Sequence, residues 1–131
     1  MRRVLIVDDE VLVRIGIKHS IAWEQNGFEL IGEASDGKEA LEMIQKLAPD
    51  IVILDINMPV LNGIEVLREL KEQKYKGKVI VLTCFNEIEY ARSAMKYGAS
   101  DYVLKTTLNT DELLNALLLS LIHISEPTRL R

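Results

Sequence analysis

Five short apolar runs, each separated from the next by a stretch whose apolar residues recur every three or four positions, constrain this chain more than any other feature. Residues 4–7, 28–31, 51–54, 79–82 and 101–104 read as strands, and the segments at about 11–21, 37–47, 62–72, 87–97 and 110–121 read as amphipathic helices. Helix stops are expected at Gly27, Gly77 and Gly98. The first, third and fourth runs are apolar at every position, as parallel strands must be when helices cover both faces of their sheet. A strict strand-helix alternation with short loops predicts one open α/β sheet of five parallel strands, doubly wound by helices. A chain of 131 residues, 48% of them hydrophobic, can build one such core, and a second folded domain does not fit.

In open parallel sheets the ligand site lies beyond the carboxyl ends of the strands, so the residues that follow each run carry the functional information. The first run ends in Asp8, Asp9 and Glu10, the third in Asp55, the fourth in Thr83 and the fifth in Lys105. The second run delivers nothing comparable, which places it at an edge, with the crevice between the first and third strands. Carboxylates within about 4 Å of one another repel by roughly 4 kcal/mol per pair at an intermediate dielectric, so a cation or proton must accompany them. Oxygen ligands without histidine or cysteine favour Mg²⁺, which takes one or two carboxylates and keeps several waters. That leaves a spare carboxylate. Asp55 stands alone on its strand while Asp8 and Asp9 are paired, which makes Asp55 the candidate nucleophile toward phosphorus, with Lys105 and Thr83 placed to hold phosphoryl oxygens.

Charge narrows the choice of partners. Sixteen basic residues against twenty acidic ones give a net charge of -4 without long like-charge runs, which argues against nucleic acid or an anionic membrane as the partner of this chain. No apolar stretch approaches the ~20 residues of a membrane span, the single cysteine, Cys84, has no internal disulfide partner, and Met1 leads almost directly into a strand. A cytoplasmic location is expected. Neither His19 nor His123 is expected to be a ligand.

The segments VLIVDDE, LDINMPVLNG, VLT and DYVLK, in this order, resemble the receiver domain of two-component response regulators, over nearly all of residues 3–118. The resemblance implies a flavodoxin-like sheet of strand order 2-1-3-4-5 and a phosphoryl group received on Asp55 from a sensor histidine kinase. It implies that Asp9, Asp55 and the backbone carbonyl of Asn57 ligate Mg²⁺, with Asp8 acting through a bound water, and that Thr83 and Lys105 contact the phosphoryl group. Thr83 and Tyr102 would form the switch, repacking the face of the fourth helix, fifth strand and fifth helix through which a homodimer would form. The stretch from Ile21 to Phe28, with Gly32 to Ala34, Leu82 to Asn86 and Tyr90-Ala91, resembles receivers that precede an AraC-type DNA-binding output domain.

Two other classes of function compete with a switch. An aspartyl-nucleophile phosphohydrolase of the haloacid dehalogenase type needs a general acid/base two residues after the nucleophile, and here that residue is Asn57, whose amide cannot move the proton. A flavodoxin or dinucleotide-binding module needs a phosphate-cradling loop after the first strand, where Asp8, Asp9 and Glu10 would repel phosphate. The chain is therefore expected to be a phosphoacceptor switch and not a turnover enzyme.

Departures from the family pattern and an unusual tail complete the reading. Thr106 follows Lys105 where the family usually has proline, so a cis peptide bond is not assumed there. Phe85, two residues beyond Thr83, is a candidate for hindering an attacking water. Residues 119–131 lose the charged outer face of the other helices and resemble translated transposon-end adaptor sequence; they are expected to be a non-native tail continuing or fraying the fifth helix, which Pro127 would end. The receiver is accordingly bounded at residues 1–118.

Overall fold

Alternation of side chains along each strand builds two hydrophobic layers from a single sheet, and the computed structural model describes how over residues 1–84, 88–105 and 110–125. The strands are β1 (Arg2–Val7), β2 (Phe28–Ala34), β3 (Ile51–Asp55), β4 (Lys78–Thr83) and β5 (Asp101–Leu104). The helices are α1 (Val11–Ser20), α2 (Gly37–Leu47), α3 (Gly63–Glu72), α4 (Ile88–Lys96) and α5 (Thr110–Ser125). All neighbouring strands are parallel, as the apolar runs predict, and the order is β2-β1-β3-β4-β5, as the resemblance implies. Leu5, Val7, Val52, Leu54, Val79 and Val81 face α2, α3 and α4 in one core. Val4, Ile6, Ile51, Ile53, Ile80 and Leu82 meet Ile17 of α1 and Leu113 and Leu117 of α5 in the other. Each fully buried aliphatic side chain of this size contributes roughly 1.5–3 kcal/mol, so residues 51–54, apolar at every position, tie both layers to the same strand.

Three details differ from the sequence expectation. Gly27, at φ +89°, closes a short 3-10 turn (Glu24–Asn26) and not α1, which ends at Ser20. Gly77 lies beyond the end of α3, which stops at Glu72 with Gln73 as its C-cap. β2 runs three residues further than its apolar run, through a register irregularity opposite Val4 and Leu5, and so carries Glu33 along the flank of β1. The Lys105–Thr106 peptide bond, Phe85, the side chain of His123 and residues 126–131 lie outside the described residues.

Candidate functional site

The chain passes from β1 outward to β2 and then back across to β3, so the connections that leave the carboxyl ends of β1 and β3 run in opposite directions and open between them the crevice the sequence anticipates. β1 carries Asp8 to one side of it and β3 carries Asp55 to the other, both buried, at 0% and 1% exposure. The same edge receives Thr83 at the end of β4, and Lys105 just past β5, whose backbone N–H donates to the Thr83 carbonyl at 2.7 Å. α3 starts immediately below this edge. The Gly63 N–H donates to the Ile56 carbonyl at 2.7 Å, and a Cβ at Gly63 would lie 2.7 Å from both the Asp55 carbonyl oxygen and Ile56 Cα, which only glycine avoids.

Lys105 Nζ is the hub of the site: it lies 3.0 Å from Glu10 Oε1, 3.1 Å from Asp8 Oδ2 and 3.4 Å from Asp55 Oδ2. The contacts with Asp8 and Asp55 are ion pairs by distance but are not aligned as hydrogen bonds, so among the described residues Asp8 Oδ2 and Asp55 Oδ2 are buried oxygens without a hydrogen-bond donor. The other oxygen of each carboxylate is committed locally. Asp8 Oδ1 accepts from the Glu10 N–H at 2.8 Å and Asp55 Oδ1 from the Asn57 N–H at 3.3 Å. Burial pushes the Asp55 carboxyl up from 3.8 to about 7, the Asp8 charge adds to the rise, and Lys105 opposes it. Asp8 is also raised, again chiefly by burial. For Lys105, burial acts to lower the ammonium, but the Asp55 and Asp8 charges and the bond to Glu10 outweigh it and hold the group above the ordinary lysine range.

These oxygens fit a hard divalent cation. Two buried carboxylate oxygens at this edge have no donor among the described residues, and ligand atoms of Asp8, Asp9 and Glu10 all lie within 4.8 Å of one another. The set is oxygen only, the chemistry of Mg²⁺ sites. The structure thus gathers Asp8, Asp55 and Lys105 closely, sets Asp9 beside Asp8 and Glu10, and brings the Asn57 backbone against Asp55. Thr83 is fully buried, its hydroxyl donating to the Cys84 carbonyl at 3.3 Å. Tyr102 is 42% exposed, on the opposite side of β5 from buried Val103. The sequence named Glu10 without giving it a role and passed over Arg14 and Glu33, which pair at 2.8 Å beside the acidic edge. The four-residue spacing of Arg14 and Lys18 puts both on one face of α1, but nothing in the sequence says that this face meets Glu33.

A 2-1-3-4-5 sheet bearing a buried, lysine-linked carboxylate cluster at its switch point defines a flavodoxin-like protein with an acidic crevice. The chain belongs to the response regulator receiver domain family, which matches residues 4–118. It is 40% identical over 126 residues to a putative transcriptional regulator of Pseudomonas aeruginosa, covering 94% of this chain and 59% of that protein. It is 37% identical over 114 residues to the nitrate/nitrite response regulator protein NarL of Escherichia coli, covering 87% of this chain and 52% of that protein. Among solved structures, the REC domain of AraT, a response regulator from Geobacillus stearothermophilus, superposes with a TM-score of 0.87 at 30% identity, covering 98% of each chain. The chain thus spans between half and three fifths of the length of these curated relatives. The expectation of a receiver that precedes an AraC-type output domain is not supported, since the relatives are of the NarL type and others.

Proposed function

We propose that Asp55 accepts a phosphoryl group from a sensor histidine kinase in a Mg²⁺-dependent reaction, and that the resulting change of conformation controls an output domain. The observation that carries this reading is the Asp55 carboxylate itself, buried at the end of β3 with Oδ2 lacking a donor among the described residues, 3.4 Å from the Lys105 ammonium and in electrostatic contact with Asp8. An Asp55 oxygen forms the new bond to phosphorus as the phosphorus–nitrogen bond of the donor phosphohistidine breaks. The imidazole leaves as the neutral base once a proton from solvent meets its freed nitrogen. Asp8, Asp9, Asp55 and the Asn57 carbonyl would hold Mg²⁺, which when bound neutralises charge on the phosphoryl oxygens. Lys105 turns from the carboxylates to the incoming anion, and Thr83 supplies its hydroxyl to a phosphoryl oxygen.

Asn57 supports a switch over a hydrolase, because it offers no general acid or base two residues from Asp55. Moving a two-state protein from 1:99 to 99:1 takes ~5.5 kcal/mol, which new contacts from the phosphoryl group to Lys105 and Thr83 would supply. Tyr102 is exposed on β5, on the face that would repack with α4 and α5 and through which a phosphorylation-dependent homodimer would form. The names of the relatives support a transcriptional output, and action on transcription supports a cytoplasmic site. The test is chemical. Acetyl phosphate or phosphoramidate with Mg²⁺ should label the wild-type protein once, at Asp55, and leave Asp55→Asn unlabelled; label on the variant, or none on the wild type, overturns the reading. Scattering before and after beryllofluoride tests dimerisation separately.

A further inference from the structure

The edge strand that delivers no group to the crevice carries a carboxylate that reaches it indirectly. Glu33, the penultimate residue of β2, accepts from Arg14 Nε at 2.8 Å through one oxygen and from Lys18 Nζ at 2.6 Å through the other. Arg14 and Lys18 are four residues apart and therefore share the face of α1 that lies against β2. Lys18 and Arg14 together hold the Glu33 carboxyl below the usual range, the bond to Lys18 first.

Arg14 does more than pair with Glu33. Its Nη1 donates to the main-chain carbonyl of Asp8, and its side chain is only 13% exposed. The planar fork of a guanidinium suits this bridging role, because the two donors leave it in fixed directions. The carbonyl it grips belongs to the rigid peptide unit joining Asp8 to Asp9, so the orientation of that unit sets where both side chains emerge. The Asp8 N–H is already held by the Ala34 carbonyl at 3.1 Å, and Asp8 Oδ1 by the Glu10 N–H at 2.8 Å. With the main chain fixed on both sides, Oδ2 is the Asp8 atom left for the crevice.

On the phosphoacceptor reading above, we propose that Arg14, oriented by Glu33, is a positioning residue that fixes the Asp8–Asp9 peptide unit and thereby the place at which both carboxylates meet Mg²⁺. Arg14 touches neither the metal nor the phosphoryl group; it acts through the backbone of residues that do.

The experiment is Mg²⁺ titration by calorimetry of the wild type, Arg14→Ala, Glu33→Gln and Lys18→Ala, each also melted thermally in chelator. Replacing groups that orient metal-binding side chains typically weakens affinity 10–100-fold, and Arg14→Ala is expected to fall about tenfold. Glu33→Gln, which leaves Arg14 in place but loosens its aim, should weaken binding in the same direction by a smaller factor and serves if Arg14→Ala does not fold. Lys18→Ala loses an ion pair to the same carboxylate without touching Asp8, and should melt earlier yet bind Mg²⁺ as the wild type does. Wild-type affinity in Arg14→Ala, or in Glu33→Gln, overturns the proposal, as does an equal loss in Lys18→Ala, which would reduce the cluster to a stabilising contact. A wild-type protein that takes no Mg²⁺ overturns the metal reading itself, and the positioning role with it.

Discussion

At the scale of single residues, the site stores a cost that pH should reveal. In the folded, metal-free protein the Asp55 carboxyl is raised to about 7 from 3.8, so between those values the folded state holds a proton the unfolded chain has released. Stability contributed by this proton is fully present below about pH 4 and is lost as pH rises through about 7. The wild type in chelator is therefore expected to lose on the order of 3 kcal/mol relative to Asp55→Asn between pH 5 and pH 8, measured by urea unfolding of both. Parallel curves for the two proteins would show that Asp55 is not strained. A second residue carries a cost of a different kind. Val60 sits at φ +70° and is exposed, so its β-branched side chain endures a left-handed backbone with little packing in return. Val60→Gly is expected to stabilise the protein by about 1 kcal/mol in the same assay, and a destabilised variant would mean that the valine makes contacts its exposure does not suggest.

At the scale of elements, α3 is held in place by its first turn. The Asn62 side chain accepts from the Glu65 N–H at 2.9 Å while Glu65 Oε1 accepts from the Asn62 N–H at 2.9 Å, a reciprocal capping box directly below the loop that follows Asp55. Asn62→Ala is expected to cost about 1 kcal/mol, with Asn62→Asp close to wild type because a carboxylate can take the same bond. Circular dichroism melts of the two variants distinguish a lost cap from a generally weakened helix. The elements themselves were legible in the sequence because period and burial coincide: residues 51–54 are apolar on both sides and are covered on both sides. The misplacements came where a local signal had two meanings. Gly27 does adopt a left-handed conformation, but it ends a 3-10 turn that nothing in the apolar period marks, and β2 continues into Gly32 and Glu33, residues that composition alone assigns to a loop. The carboxylates and lysine of the site were legible because each follows directly from a strand. Arg14 and Glu33 were not, since their pairing depends on how α1 lies against β2, and Lys105 was expected to face phosphate with no sign that Glu10 also holds it.

At the scale of the whole molecule, two apolar cores joined through one sheet support an edge where like charges are forced together. The cores dictate how near β1 and β3 come, and the carboxylates at their ends have no freedom to separate. Lys105 offsets part of the repulsion, yet among the described residues Asp8 Oδ2 and Asp55 Oδ2 still lack donors. A cation that binds only the folded arrangement must then stabilise the entire domain, because the arrangement exists only when both cores are formed. The stabilisation follows RT ln(1 + [Mg²⁺]/Kd), about 2.7 kcal/mol at a hundredfold excess over Kd, which for a domain of this size raises the melting temperature on the order of 10 °C. Differential scanning fluorimetry at pH 8 should show that rise with MgCl₂ and not with NaCl of equal ionic strength. Asp9→Asn should shrink it, since the variant loses a proposed ligand but keeps the buried pair. At pH 5 the wild-type rise should also diminish, because Asp55 must give up its proton before it can serve the metal. An equal rise in NaCl would mean that general screening, and not a cation held between β1 and β3, relieves the edge.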